Sequence, residues 1–290
     1  MKTIAILSGK GGTGKTTLAA SLARLAGEKA LADCDVEAPN LHILLQGKLL
    51  EKKEYRGAQT ALIDEDLCRQ CGLCREACRF QAISAGYQVI PFRCEGCGVC
   101  SLVCPHGAAH LETVKTGDTY VHETGEGLFS HALLDIGAEG SGKLVTEVRR
   151  IIQPYIQTEK LFFIDGSPGI GCVVIASLTG CDAAILVTEP TLSGKSDLLR
   201  VLDLADHFSI PAVVCINRFD VNLELTAEIE AYCRQARVPV LGKIPFDSRV
   251  VEGLRNYKTP LEMEGSTAAA AIRGFWENMQ KYLQNEEEGE

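Results

Sequence analysis

Short apolar runs alternate with segments of helical period along most of this chain. Residues 3–8 (TIAILS), 29–33, 160–165 (KLFFID), 183–188 (AAILVT), 212–217 (AVVCIN) and 238–244 (VPVLGKI) have the length and side-chain character of buried strands. Between them, residues 16–26, 173–180, 195–207, 223–236 and 247–256 repeat apolar side chains at helical spacing. The alternation predicts an α/β fold, a doubly wound and mostly parallel sheet whose ligands bind at the carboxyl ends of its strands. The pattern breaks between about residues 60 and 110, where cysteine and glycine dominate. Residues 110–135 are β-like again, with a hairpin expected around Thr116–Gly117–Asp118, and residues 141–157 form a helix returning to the sheet. The simplest account is an insertion: a discontinuous nucleotide domain over 1–60 and 111–290, interrupted by a small α+β domain over 61–110. Near the end, Ile272, Phe275, Trp276, Met279, Tyr282 and Leu283 make one apolar helix stripe.

Composition narrows the function classes. A net charge of −9 without a dense Lys/Arg run speaks against nucleic acid as a partner. No run of 18 apolar residues and no leader pattern occur, so a cytoplasmic protein without a membrane partner is expected. Eight of the thirteen cysteines fall between Cys68 and Cys104, a density that favours thiolate ligands in a reducing compartment over disulfides.

Residues 9–17 read GKGGTGKTT, between a predicted strand and a predicted helix. Gly9, Gly14, Lys15 and Thr16 satisfy the G-x4-G-K-[ST] phosphate loop. Gly9, Gly11, Gly12, Thr13, Gly14 and Thr17 supply a backbone that closes around phosphate oxygens at a helix N-terminus. Lys15 then reaches the β- and γ-phosphates of ATP, and Thr16 binds Mg²⁺.

Lys10, a second lysine just after the first glycine, is the deviant form of this loop. With it the segment resembles the MinD/ParA/nitrogenase-iron-protein superfamily of P-loop ATPases, over about residues 1–60 and 130–260. The resemblance implies an ATP-dependent homodimer in which Lys10 contacts the partner's nucleotide. DCDVEAPNL (Asp33–Leu41) is similar to the family's switch I, which implies that Asp35 orients the attacking water with Asp33 in support. DGSPGIG (Asp165–Gly171) is similar to switch II, implying that Asp165 holds a Mg²⁺-bound water and Gly169 senses the γ-phosphate. Asn217 stands where the family reads adenine, with Pro245 and Asp247 of IPFD beside it.

Cys68, Cys71, Cys74 and Cys78 form one C-x2-C-x2-C-x3-C run, and Cys94, Cys97, Cys100 and Cys104, followed by Pro105, form a second. Three close cysteines wrap the corners of a cubane, and their loop N–H groups can bond its sulfides. Zinc needs two C-x2-C pairs per site and leaves the third cysteine of each run unexplained. The segment resembles two-cluster 4Fe–4S ferredoxins over roughly residues 62–110. That resemblance implies crossed ligation, with Cys68, Cys71, Cys74 and Cys104 on one cluster and Cys94, Cys97, Cys100 and Cys78 on the other.

Cys172 lies seven residues after Asp165, the offset of the cluster cysteine in the nitrogenase iron protein, yet residues 137–143 offer no second cysteine. A packing thiol and a metal ligand both remain open for it. Cys34, Cys181, Cys215 and Cys233 sit in apolar surroundings and are expected in the core. The terminal stripe is expected to dock on its own domain, since it lacks a basic face and runs into Glu286, Glu287, Glu288 and Glu290. The leading functional expectation is an ATPase whose nucleotide state gates electron delivery through two clusters to a partner protein. The alternatives are a carrier or scaffold for iron–sulfur or metal-cofactor assembly, and a MinD/ParA-type positioning ATPase with structural clusters. A cobyrinic acid amidating synthase would need a glutaminase part, for which no Cys/His/Glu constellation is present.

Overall fold

The computed structural model describes the backbone of residues 1–288 and the side chains of residues 1–285. In chain order the elements are β1 (Lys2–Leu7), α1 (Lys15–Leu25), β2 (Lys29–Cys34), α2 (Leu41–Leu44), β3 (Gly47–Tyr55), β4 (Ala58–Ile63), α3 (Leu73–Ala77), α4 (Val99–Val103), β5 (Ala109–Val114), β6 (Gly117–Thr124) and β7 (Gly127–Leu134). There follow α5 (Gly142–Ile151), β8 (Leu161–Gly166), α6 (Cys172–Leu178), β9 (Ala183–Thr188), α7 (Leu192–His207), β10 (Ala212–Asn217), α8 (Leu223–Gln235), β11 (Val240–Ile244), α9 (Ser248–Arg255) and α10 (Thr267–Glu288).

Residues form two compact units, one of 1–52, 119–133 and 140–290, the other of 53–118 and 134–139. The larger unit is the expected α/β P-loop fold. Its sheet runs β11-β10-β9-β1-β8-β2-β7-β6-β3, and the ladders from β11 to β7 are parallel. Burial on both faces explains the continuous apolar runs: every residue of β2 and β9 is buried, and Ile4 to Leu7 of β1 have no exposed surface. The six strands β1, β2, β8, β9, β10 and β11 all finish at one edge, and each is followed there by a segment carrying candidate chemistry. The terminal helix docks as its stripe predicts: Ile272, Phe275, Trp276, Met279 and Leu283 are buried in the main core, and Tyr282 packs against it. The Trp276 ring meets Phe163 edge-on at 5.9 Å. The acidic side chains of Glu286, Glu287, Glu288 and Glu290 lie outside the described residues. No helix among the described residues is long and apolar enough to cross a membrane.

In the smaller unit β4 and β5 pair antiparallel from Ala58↔Val114 to Ile63↔Ala109. The unit is wider than the cysteine-rich stretch 61–110, because this pairing recruits the chain on both sides of it. Its core gathers Ala61, Cys74, Ile83, Cys100 and Ala109.

One expectation is corrected. Thr116–Gly117–Asp118 is not a hairpin, because β5 belongs to the two-stranded sheet with β4 and β6 to the large sheet between β7 and β3. The turn joining hydrogen-bonded neighbours lies instead between β6 and β7, where the Glu126 N–H donates to Thr124 Oγ1 at 3.1 Å and that hydroxyl donates to the Gly127 carbonyl at 2.8 Å.

Candidate functional site

The loop between β1 and α1 has the phosphate-binding form read from its glycines. Gly14 caps α1 with φ 94, and a Cβ there would collide with the Asn217 amide. Asn217 Nδ2 donates to the Thr13 carbonyl at 2.7 Å, and its Oδ1 accepts from the Arg218 N–H at 3.0 Å. Asn217 therefore fixes the phosphate loop from the end of β10. Gly169, with φ 99, donates its N–H to the Ser8 carbonyl at 3.0 Å, which sets switch II beside the loop.

At the floor lies a buried charge cluster. Lys15 Nζ is 2.8 Å from Asp165 Oδ1, 3.8 Å from Asp35 Oδ2 and 3.4 Å from Thr16 Oγ1. Burial pushes the Lys15 ammonium down, but the carboxylates of Asp165, Asp35 and Asp33 outweigh it and hold the pKa above its ordinary value. Asp33 faces Asp165 across the β2–β8 ladder. Burial and the Asp165 charge raise Asp33 to about 8, against the opposing pull of Lys15 and of two backbone N–H groups. Those donors are Asp35 N at 3.1 Å and Leu41 N at 3.0 Å, so Asp33 straps both ends of the switch I loop. Burial also raises Asp35. Asp165 Oδ2 and Thr13 Oγ1 are buried without a hydrogen-bond partner. Residues that could hold a Mg²⁺ ion here are Thr16, through its hydroxyl, and Asp165, whose Oδ2 is unpartnered.

Beside the loop an open cleft is lined by Gly14, Thr17, Asn217, Pro245, Phe246 and Asp247, among others. Asp247 faces the cleft but is committed elsewhere. It accepts from Arg249 N at 2.9 Å as the α9 cap, from Ser266 Oγ at 2.7 Å and from Ala268 N at 3.2 Å. Burial pushes its carboxyl up, but the Ser266 hydroxyl and the N–H groups of Arg249, Ala268 and Thr267 together hold it below its ordinary range.

Lys10 folds back onto its own chain. Its Nζ lies 2.6 Å from Glu189 Oε1 and 3.0 Å from both Thr191 Oγ1 and Ser193 Oγ. Glu189 also pairs with Arg218 at 3.1 Å. Sequence reasoning missed Glu189, because a single acid after a strand carries no pattern of its own.

In the smaller unit, the eight cysteines line two pockets, four to each. One pocket is lined by Cys68, Cys71, Cys74 and Cys104, among others, and a second by Cys78, Cys94, Cys97 and Cys100. Gly72 and Gly98, in left-handed conformations with φ 89 and 76, start the five-residue helices α3 and α4, which bury Cys74 and Cys100. Backbone donors face the sulfurs: Ala61 N lies 3.3 Å from Cys94 Sγ, and Ala82 N lies 3.4 Å from Cys78 Sγ. The Ala109 N–H and its neighbours hold the Cys104 thiol below its ordinary value, whereas burial raises Cys74 and Cys100. No three His, Cys, Asp or Glu side chains among the described residues close tightly around a single ion. Four thiols line each pocket, the number of ligands a 4Fe–4S cluster takes.

Cys172 is exposed at the start of α6, whereas Cys34, Cys181, Cys215 and Cys233 are buried. Burial pushes the Cys181 and Cys215 thiols up to about 11 and about 12, which makes both inert neutral core groups.

An unexpected cluster lies at one side of the large sheet. The rings of His42, His131 and His122 stack in sequence, with centroids 5.0 and 5.2 Å apart, and Tyr120 and Phe129 flank His131 at 4.9 and 5.2 Å. His131 Nε2 is 3.3 Å from His122 Nε2. Three histidines distant in sequence give no motif, so only the fold reveals them.

The CobQ/CobB/MinD/ParA nucleotide-binding domain family matches residues 4–261. An uncharacterized protein of Methanocaldococcus jannaschii is 31% identical over 286 residues, covering 97% of each chain. Among solved structures, the cell division ATPase MinD of Pyrococcus furiosus is 20% identical with a TM-score of 0.59, covering 97% of this chain and 99% of that one. The septum site-determining protein MinD of Pyrococcus horikoshii, complexed with Mg-ADP, is 20% identical with a TM-score of 0.58, covering 97% of each chain. With its glycine loop, its paired lysines and a family match over most of its length, the chain belongs to the CobQ/CobB/MinD/ParA nucleotide-binding family of P-loop ATPases.

Proposed function

We propose that this protein is a Mg²⁺-ATP-driven switch of the MinD/ParA type, dimerising on ATP and hydrolysing it slowly, with two 4Fe–4S clusters carried in its smaller unit. The observation that carries the nucleotide reading is the buried Lys15–Asp165 pair at 2.8 Å with Asp165 Oδ2 left unpartnered. On ATP binding Lys15 leaves Asp165 for the β- and γ-phosphate oxygens. Asp165 is then free to accept from a Mg²⁺-bound water, and Thr16 supplies its hydroxyl to the ion. Asp35, next to Lys15, orients the attacking water, while Gly169 N–H turns from the Ser8 carbonyl toward the γ-phosphate. Lys10 exchanges Glu189 for the partner's nucleotide. Catalysis on this scheme is positioning and charge stabilisation. The likeness to a MinD complexed with Mg-ADP supports it.

The family match and the likeness to MinD favour a nucleotide-timed switch over an electron-gating enzyme. The cluster reading rests on a separate observation, the sorting of eight cysteines into two four-thiol cavities. A bound cluster supplies one-electron exchange. The cysteines hold it, and the N–H groups at Cys94 and Cys78 offset its negative charge.

Light scattering on anaerobically prepared protein tests the switch. A non-hydrolysable ATP analogue should double the mass, ADP should not, and Lys10→Ala should still bind nucleotide while losing turnover. A mass indifferent to nucleotide, with normal turnover by Lys10→Ala, removes the reading. Iron and sulfide analysis tests the cages separately: eight irons per chain are expected, and Cys74→Ala should lose about half of them.

A further inference from the structure

The two cysteine runs are an internal duplication, and the cages keep its pseudo-symmetry closely. Gly72 matches Gly98, α3 matches α4, and buried Cys74 matches buried Cys100. Ala82 and Ala108 also correspond. Against that shared frame, the residue after the first cysteine inverts its charge. Arg69 lines the cavity of Cys68, Cys71, Cys74 and Cys104, and Glu95 lines the cavity of Cys78, Cys94, Cys97 and Cys100.

We infer that Arg69 and Glu95 set the order in which the two clusters accept electrons, making the Arg69 cluster the first to be reduced and the terminus of electron flow within the chain. The inference rests on the proposed 4Fe–4S occupancy of both cavities. Adding an electron makes a cluster more negative. A neighbouring cation stabilises that state and a neighbouring anion destabilises it, so local charge moves the potential in opposite directions at the two sites. Backbone donors do not distinguish the cages, since Cys94 and Cys78 on one and Cys104 on the other are all served. The buried Ser101 hydroxyl beside Cys100 works against Glu95, but a neutral dipole is weaker than the exchange of a cation for an anion. An electron delivered to the Glu95 cluster by a low-potential one-electron donor therefore passes on. The Glu95 cluster returns from the reduced (1+) to the oxidised (2+) core as the Arg69 cluster goes from 2+ to 1+, and no bond or proton changes hands. Both side chains are exposed, so salt should narrow the separation.

Electron paramagnetic resonance of the full-length chain, poised anaerobically with dithionite and mediators, reads this directly. Two one-electron waves are expected. Arg69→Gln should move only the higher wave, downward, by about threefold to tenfold in the reduced-to-oxidised ratio, the upper figure being about 59 mV. Glu95→Gln should move only the lower wave, upward. A single unsplit wave in the wild type, an Arg69→Gln effect on the lower wave, or two variants that leave both waves in place overturns the inference while leaving cluster occupancy intact. Fewer than eight irons per reconstituted wild-type chain removes the occupancy itself.

Discussion

Burial pushes the Asp33 carboxyl toward its protonated form, which sequence reading gave no reason to expect. It is fully enclosed, faces Asp165 across the sheet, and is raised to about 8 by burial first and by that neighbour second. The folded chain then keeps a proton that an unfolded Asp releases near pH 4, so the stabilisation is full below about pH 4 and is lost as pH rises through about 8. Metal-free wild-type protein should melt progressively lower between pH 5 and pH 8.5, and Asp33→Asn should flatten that slope. Equal slopes for the two proteins in calorimetry would count against the assignment. The partner in this cluster behaves differently. Lys15 lies 2.8 Å from a carboxylate that is itself 1% exposed. Lys15→Ala strips that pair and should cost the nucleotide-free fold about 3 kcal/mol, visible as a lower urea midpoint at unchanged slope.

At the level of elements, what was legible follows what is local. The phosphate loop needs only consecutive glycines and a lysine between a strand and a helix, and the cage cysteines need only fixed spacing. The inner strands β1, β2, β8, β9 and β10 are mostly buried, so they read as apolar runs. β3 was missed because it is the edge strand: Lys48, Glu51, Lys52, Lys53 and Glu54 cover it with charge and erase the alternation. The hairpin was misplaced because T-G-D has turn chemistry wherever it occurs, whereas the identity of the paired strands is a property of the whole sheet. Asn217 and Asp247 line one cleft, yet their hydrogen bonds to the Thr13 carbonyl and to the starts of two helices depend on chain brought from far away. The β6–β7 hairpin adds the histidine stack. Burial first, then the neighbouring His42 and His122, depresses His131 to about 3. A His held neutral favours the fold above its unfolded pKa near 6.5 and loses that contribution as pH falls toward 3. Acid unfolding followed by circular dichroism should therefore begin just below pH 6.5 and cost about 4 kcal/mol by pH 3. His131→Phe, which keeps the ring stack, should delay it.

As a whole molecule, the chain places a nucleotide loop, two switch segments and a lysine latch at one edge of a sheet, and gathers eight of its thirteen cysteines in a second unit. Lys10 is held by Glu189 within the single chain at 2.6 Å, so dimerisation on ATP has a contact to break as well as one to make. Glu189→Gln should loosen that seat and shift nucleotide-dependent dimerisation to lower protein concentration, by a few-fold in sedimentation. An unchanged or higher concentration would mean that Glu189 does not restrain Lys10. All of this presupposes that triphosphate enters the loop and displaces Lys15 from Asp165. Calorimetric titration of Mg-ATP into the folded wild type and into Lys15→Gln, which keeps most of the side-chain stem, measures that step most directly. The account predicts one site per chain in the wild type and at least a hundredfold weaker binding in the variant. Equal affinity in both proteins, or no heat from the wild type at millimolar Mg-ATP, would contradict it.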